Sequence, residues 1–157
     1  MRVLMVCLGN ICRSPMAEGI FRHHAQLNQL KIKVDSAGTS NYHIGEAPDR
    51  RAIEFMRTKG IDISDLRARQ FTRADFDNFD IIYVMDESNY SNIIRLAASE
   101  EDKRKVKLIL SEHPEATILS VPDPYYGGMD GFALVYDLLD AASKAIIASK
   151  NSIVSAT

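Results

Sequence analysis

The sequence is poor in cysteine, in net charge and in long apolar runs. It has two cysteines, Cys7 and Cys12, so no disulfide framework is available. A formal net charge of −2 gives no support to nucleic-acid or anionic-membrane binding as the main role. No stretch is long enough to insert into a membrane, and the apolar start at residues 1–8 is too short for a signal peptide. We therefore expect a reducing, cytoplasmic setting.

The composition that is present is typical of one globular domain. Hydrophobic residues make up 46% of the chain and charged residues 25%. No repeat, linker or low-complexity segment divides the sequence. We expect a single domain over residues 1–157, with a frayed tail from about residue 151.

The most informative stretch is Cys-Leu-Gly-Asn-Ile-Cys-Arg-Ser at residues 7–14, here called the Cys7 loop. It follows an apolar run suited to a buried parallel strand, and the serine–proline pair after it predicts a helix start with Ser14 as the N-cap. Such a loop presents unpaired N–H groups and the positive end of the helix dipole, which suits an anion. Gly9 lets the backbone wrap closely, and Asn10 tolerates a left-handed conformation.

Cys7 and Arg13 give this loop its predicted chemistry. The planar guanidinium of Arg13 can bind two oxygens of a phosphate or another oxyanion. Thiols at a helix N-terminus beside an arginine can have a pKa of roughly 3.5–7.5, against about 8.5 for a free thiol. The loop thus predicts a phosphate site with Cys7 as nucleophile and Ser14 as a donor to its sulfur. The alternative is a buried structural cysteine in an ordinary turn, which the combined loop signals disfavour.

Strand and helix patterns alternate along the rest of the chain. Further strands are predicted at residues 31–35, 81–85 and 106–110, and helices at residues 15–28, 49–59, 86–98 and 131–149. This alternation is typical of an α/β fold, with four strands in one doubly wound parallel sheet of order 2-1-3-4, flanked by helices. Ligands bind such sheets where the strand order reverses, and the Cys7 loop falls at that position.

Several polar residues outside the loop have ordinary explanations. Asp86 follows the third strand and is a good N-cap for the next helix. Arg67 and Arg69 lie in a polar segment, where solvated side chains are expected first and an ion pair second. Tyr42 and His43 lie in a turn-rich segment that composition alone predicts to be a plain connection. The cysteines and histidines do not form a credible metal site.

A second candidate element is Pro-Asp-Pro-Tyr-Tyr-Gly-Gly at residues 122–128, here called the Asp123 loop. Its prolines restrict the backbone around Asp123, and its glycines give a flexible exit. Read alone, the segment is a surface turn. Beside a thiolate nucleophile, Asp123 can protonate a phenolate leaving group, whose conjugate acid has a pKa near 10. Tyr125 and Tyr126 can form aromatic walls for a flat ring.

Together these segments resemble the low-molecular-weight protein tyrosine phosphatases. The matching motifs are the Cys7 loop with its following proline and Asp-Pro-Tyr-Tyr-Gly at residues 123–127. Asp-Ser-Ala-Gly at residues 35–38 and Met-Asp-Glu-Ser-Asn at residues 85–89 also match, so the similarity runs nearly end to end. The resemblance implies hydrolysis of phosphotyrosine proteins or peptides and small aryl phosphates through a phosphocysteine, without a metal or organic cofactor.

The resemblance also implies roles for individual residues. Cys7 attacks phosphorus, Arg13 binds the equatorial oxygens, and Asp123 protonates the leaving group and then activates water. Ser14 stabilises the departing thiolate. The phosphate-binding residues are Leu8, Gly9, Asn10, Ile11, Cys12, Arg13 and Ser14, the bracing residues Asn10 and Ser36, and the substrate-lining residues Tyr42, His43, Tyr125 and Tyr126. Cys12 is expected to form a reversible disulfide with Cys7, which protects Cys7 from irreversible oxidation.

Two departures and three rivals qualify this interpretation. Leu66 stands where many members have a histidine that supports the bracing residues, so the support of that network is open. Tyr42 stands where some members have tryptophan, so substrate preference can differ. The nearest rival is a protein arginine phosphatase on the same scaffold, which typically has threonine where this chain has Ile11. An arsenate reductase needs further cysteines, and a non-catalytic phosphate-binding or redox-sensing module does not explain Cys7 and Asp123 together.

Overall fold

The computed structural model describes residues 1–125 and 127–156. The strands are β1 (Arg2–Cys7), β2 (Lys33–Gly38), β3 (Ile81–Val84) and β4 (Val106–Leu108). The helices are α1 (Arg13–Leu27), α2 (Arg50–Thr58), α3 (Asp75–Asn78), α4 (Glu87–Ile94), α5 (Glu100–Lys105) and α6 (Met129–Ala156), and a short 3-10 helix spans Ile109–Glu112. Within these residues, no helix combines the length and the apolar character needed to cross a membrane.

The strands form one parallel sheet in the order β2-β1-β3-β4. This confirms the predicted fold class and strand order. Because the chain leaves β1 toward β2 on one side and reaches β3 on the other, a crevice opens beyond the carboxyl end of β1. Cys7 is the last residue of β1, and Gly38 at the end of β2 is its partner in the ladder.

Side chains of β1 alternate between two apolar cores on opposite faces of the sheet. Val3, Met5 and Cys7 belong to the larger core, to which α1, α2 and α6 also contribute. Leu4 and Val6 belong to the second core, with side chains from α3 and α4. Each fully buried aliphatic side chain contributes about 1.5–3 kcal/mol relative to an exposed one. The Cys7 loop therefore begins at a firmly held point of the fold.

The start of α1 differs from the prediction. The helix begins at Arg13 with Cys12 at the N-cap position, so the prediction of Ser14 as the N-cap is wrong. The reason is that the Ser14 hydroxyl contacts Cys7 Sγ and the Asn10 amide instead of a backbone N–H of the first turn. A residue predicted to start a helix is therefore part of the site.

Other element ends also differ from the prediction. β2 continues through Gly38 because its ladder with β1 extends to Cys7. β4 is shorter than predicted and passes into the 3-10 helix. The helix α5 was missed, although Ser99 at its N-cap, acidic residues in its first turn and basic residues in its last are a readable signal. The helix α6 extends to Ala156, and residue 157 lies outside the described residues. The frayed tail from about residue 151 stays a prediction.

Candidate active site

A cleft of about 300 Å³ opens at the carboxyl end of β1. The residues that line it are Cys7, Leu8, Gly9, Ile11, Cys12, Arg13, Tyr42, His43, Asp123 and Tyr125. The cleft brings the two predicted loops together from distant parts of the chain. The predicted lining residue Tyr126 lies outside the described residues. Asn10, Ser14 and Ser36 do not line the cleft and are buried behind it.

Cys7 is buried, with 3% of its surface exposed. Its Sγ lies 3.0 Å from Ser14 Oγ and accepts a hydrogen bond from the Asn10 backbone N–H at 3.3 Å. Asn10 has a φ of 57°, the left-handed conformation predicted for it, and this conformation directs its N–H to the sulfur. Cys7 is thus held inside a turn whose backbone and side chains both reach its sulfur.

Hydrogen bonds of the Asn10 side chain hold the loop from behind. Its Nδ2 donates to Ser14 Oγ at 2.7 Å and to Ser36 Oγ at 2.9 Å, while its Oδ1 accepts from the Arg69 backbone N–H at 3.0 Å. An amide nitrogen can only donate, so the Ser14 hydroxyl is an acceptor there. The Ser14 proton is therefore available to Cys7 Sγ, the nearer of its two possible acceptors.

Glu18 of α1 ends this network, a residue that the sequence analysis did not single out. It is 2% exposed, accepts a hydrogen bond of 2.6 Å from Ser36 Oγ, and pairs with Arg22 one turn along the helix. Burial raises the pKa of the Glu18 carboxyl, although the hydrogen bond from Ser36 and the charge of Arg22 oppose the shift. Leu66 packs against the larger core. The network of Asn10 and Ser36 is therefore supported by Glu18 and by the Arg69 backbone. Many members of the family were expected to support it with a histidine at the position of Leu66.

Arg13 is fixed by Asp86 and by a backbone carbonyl. Its Nη1 donates to Asp86 Oδ2 at 2.7 Å and to Val121 O at 3.0 Å, which leaves the Nη2 side of the guanidinium toward the cleft. Burial acts to lower the pKa of Arg13, but the charge of Cys7 and the hydrogen bond to Asp86 outweigh it and raise that pKa. Asp86 also accepts from the Asn89 N–H at 2.7 Å, which confirms its predicted capping role. Its position after β3, at the sheet edge of the Cys7 loop, was a signal for its second role.

Asp123 lies at the mouth of the cleft. Its Oδ2 is 3.7 Å from Arg13 Nη2, and its side chain is 37% exposed. Its Oδ1 accepts from the Tyr125 N–H at 3.0 Å. The rings of Tyr125 and His43 lie 6.4 Å apart, and Tyr42 is 73% exposed. The carboxyl is therefore partly exposed and lines the same cleft as Tyr42, His43 and Tyr125.

Arg69 corrects an expectation. It was predicted first to be solvated, but its guanidinium pairs with Asp35 and with the buried Asp75, at 3.0 Å in each case. These ion pairs fix the backbone whose N–H binds Asn10. Arg67 is exposed, as predicted.

Gly38 is a second residue that the sequence analysis missed. A Cβ at this position would lie 2.7 Å from the carbonyl oxygen of Leu8 and 3.2 Å from the backbone nitrogen of Asn10. Only a glycine therefore allows the end of β2 to approach the Cys7 loop so closely.

Cys12 lines the cleft beside Cys7, and both cysteines are free. Burial raises the pKa of the Cys12 thiol, and the charges of Asp49 and Cys7 add to the shift. The Cys12 thiol is therefore less acidic than an ordinary cysteine thiol. In the part of the chain that the structure describes, no group of three or more histidine, cysteine or acidic side chains is arranged to hold a metal ion.

Cys7 at the end of a central parallel strand and Arg13 at the start of the next helix line one cleft with a carboxyl group, an arrangement typical of an α/β domain that binds phosphate or another oxyanion. The family model of the low molecular weight phosphotyrosine protein phosphatases matches residues 2–154. A Synechocystis relative, which its name assigns to the low molecular weight protein-tyrosine-phosphatases, is 46% identical and spans 95% of this chain and 96% of its own. The chain belongs to this family.

Solved structures agree with this assignment. A protein tyrosine phosphatase from Entamoeba histolytica, with Hepes in its active site, has a TM-score of 0.92 and 37% identity, over 97% of each chain. A Drosophila arginine phosphatase has a TM-score of 0.90 and 30% identity, over 96% of this chain and 98% of its own. The same scaffold is thus found in proteins named for two different phosphorylated residues.

Proposed function

We propose that the protein is a protein tyrosine phosphatase that hydrolyses phosphotyrosine in proteins or peptides, and small aryl phosphates, through a phosphocysteine intermediate. The observation that carries this proposal is the single cleft in which Cys7, Arg13 and Asp123 meet. Family membership supports it independently.

In the first step, Cys7 Sγ attacks phosphorus, so that an S–P bond forms while the bond from phosphorus to the phenolic oxygen breaks. Asp123 gives its proton to the departing oxygen, a contribution of typically 10²- to 10⁴-fold in rate. Arg13 and the backbone N–H groups of the Cys7 loop bind the equatorial oxygens, where charge develops. The fixed contacts of Arg13 with Asp86 and Val121 support this assignment, since its guanidinium needs no reorganisation.

In the second step, water attacks phosphorus and the S–P bond breaks. Asp123, now a carboxylate, accepts a proton from the water, and inorganic phosphate is released. The Ser14 hydroxyl donates to Cys7 Sγ as negative charge returns to the sulfur. The 3.0 Å separation of these two atoms supports that role.

Two features of the cleft favour phosphotyrosine over phosphoarginine. Tyr125 and Tyr42 offer aromatic surface at the rim, suited to a flat ring. Ile11 adds a branched apolar side chain to the wall. The likeness to an arginine phosphatase makes phosphoarginine the second candidate substrate.

The test is metal-free hydrolysis of phosphotyrosine and phosphoarginine peptides by the wild type and by Cys7→Ser. We expect preferential turnover of phosphotyrosine, and a loss of at least about a thousandfold in kcat for Cys7→Ser, because no nucleophile remains. Inorganic phosphate is expected to bind the variant still. Preference for phosphoarginine would assign the protein to the second activity, and full activity of Cys7→Ser would overturn the nucleophile assignment.

We further propose that Cys7 and Cys12 form a reversible disulfide and that the enzyme works in the reducing cytoplasm. Their shared place in the lining of one cleft supports the pairing. Oxidation joins the two sulfurs and transfers two electrons to the oxidant, and a thiol reductant restores both thiols. Activity lost to mild peroxide and recovered with dithiothreitol in the wild type, but not recovered in Cys12→Ser, is the expected result.

A further inference from the structure

Arg51, in the first turn of α2, contacts the backbone of the Asp123 loop. Its Nη2 donates to Tyr125 O at 2.7 Å, and its Nη1 donates to Gly127 O at 2.9 Å. One guanidinium therefore binds two carbonyls on the C-terminal side of Asp123, in a loop where Pro124 is buried and the other described residues are exposed.

The other side of Arg51 is fixed to the Cys7 loop through Asp49. The Asp49 carboxylate accepts from Arg51 Nε and Nη2, both at 3.1 Å. These hydrogen bonds outweigh the effect of burial and lower the pKa of Asp49, so it stays charged. The Asp49 backbone N–H donates to Ile11 O at 2.7 Å. A continuous path thus runs from the Cys7 loop through Asp49 and Arg51 to the Asp123 loop.

Two aromatic rings lie close to the Arg51 guanidinium. Its Cζ lies 5.1 Å from the ring centroid of Phe132 in α6 and 5.8 Å from that of Tyr125. Phe132 is fully buried, so it provides a fixed surface. A planar fork that binds a carboxylate on one edge and two carbonyls on the other is specific to arginine, and lysine cannot reproduce it.

We propose that Arg51 is a positioning residue that sets the distance between Asp123 and the Cys7 loop. It does not line the cleft, so it acts through Asp123 and not on the substrate. This inference rests on the proposed function, since it takes Asp123 to be the proton donor. Proton transfer requires the donor within hydrogen-bond reach of the leaving oxygen, so a loosened loop should slow that step selectively.

The test compares Arg51→Met and Arg51→Lys with Arg50→Met. Arg50 is a matched control, because it is the neighbouring arginine, is 90% exposed and contacts Glu54 on the surface. We expect kcat/KM for phenyl phosphate, a poor leaving group, to fall about tenfold or more in both Arg51 variants, because kcat/KM reports phosphoryl transfer to Cys7 and not the later hydrolysis. With p-nitrophenyl phosphate, a good leaving group, the loss should be under about threefold, and Arg50→Met should match the wild type on both.

Two further measurements separate this inference from the proposed function. Cleavage after Tyr125 by chymotrypsin should be faster in Arg51→Met than in Arg50→Met, and this readout needs no phosphatase activity. Alkylation of Cys7 by iodoacetamide, and its protection by inorganic phosphate, should be unchanged. Equal loss on both substrates, lost protection by phosphate, or unaltered cleavage would overturn the role of Arg51. If Arg51→Met is cleaved faster but the wild type hydrolyses neither substrate, the proposed function is refuted. The restraint of the Asp123 loop by Arg51, here called the Arg51 tether, would still stand.

Discussion

The Cys7 loop and the Asp123 loop meet in one cleft but are held in different ways. In the first, Asn10 and Ser14 are almost fully buried and their side chains are joined by a hydrogen bond. In the second, the Asp123 side chain is 37% exposed, and Gly128 at the end of the loop has open space around it. One wall of the cleft is therefore built into the core, while the other lies on the surface.

This difference fits the two tasks. Donors that bind a developing anion work best when they are fixed before the reaction, because no reorganisation is then needed. A proton donor at the mouth of a site must also let substrate enter and product leave. A tether such as Arg51 meets both needs, since it restrains the Asp123 loop without burying it.

Asp123→Asn should have the largest effect, because it removes the proposed proton donor and leaves the Cys7 loop intact. We expect kcat/KM for phenyl phosphate, which reports the step that expels the leaving group, to fall by about 10²- to 10⁴-fold, with a smaller loss for p-nitrophenyl phosphate. Steady-state kinetics on both substrates measure this, and Asp130→Asn, at an exposed position in α6, is the control. Equal losses on the two substrates would mean that Asp123 supports binding and not proton transfer.

A pair of glycine substitutions tests the contrast directly. At Gly38 an added Cβ would lie 2.7 Å from Leu8 O, so the Cys7 loop must shift, whereas at Gly128 it would meet nothing within 4 Å. We expect Gly38→Ala to lower the free energy of unfolding by about 1–3 kcal/mol and to weaken inhibition by inorganic phosphate several-fold. Gly128→Ala should change either quantity little, within about 0.5 kcal/mol. Urea unfolding and phosphate inhibition provide the measurements, and similar effects at both sites would contradict the contrast.

The sheet order and the Cys7 loop were predictable because their signals are local. The apolar run of β1, the glycine and asparagine of the turn, and the Cys-to-Arg spacing are contiguous, and the structure keeps the left-handed Asn10. Asp86 shows how far local sequence signals can predict the site. Its capping role follows from its neighbours in sequence, but its hydrogen bond to Arg13 depends on two strands lying side by side.

The supporting residues depend on tertiary contacts that leave no mark in the local sequence. Arg69 lies in a polar segment, and nothing there reveals the buried Asp75 that pairs with it. Glu18 lies in an amphipathic helix where a charged residue normally faces solvent. Ser14 gave a misleading signal, since serine before proline favours an N-cap but its hydroxyl contacts Cys7.

Glu18→Gln should have the smallest effect, and its sign depends on pH. Burial raises the pKa of Glu18 above its ordinary value of 4.5, so the folded state binds that proton more tightly than the unfolded state. The stability contributed by this group is therefore fully present below the unfolded pKa and is lost as pH rises through the folded pKa. Glutamine keeps an acceptor for Ser36 without titrating. The free energy of unfolding of the wild type, minus that of the variant, should thus decrease as the pH is raised from about 4 to about 7.5.

Urea unfolding at both pH values measures this difference, with Glu54→Gln as the control because Glu54 makes a matching helical ion pair on the surface. A difference that stays constant with pH for Glu54→Gln and decreases with pH for Glu18→Gln would show that the hydrogen-bond network behind the Cys7 loop keeps a buried charge at a cost in stability. A difference that rises with pH would mean that Arg22 and Ser36 stabilise the Glu18 carboxylate by more than burial opposes it. The well-held side of the cleft would then owe part of its rigidity to an ion pair, as the Asp123 loop does through Asp49 and Arg51.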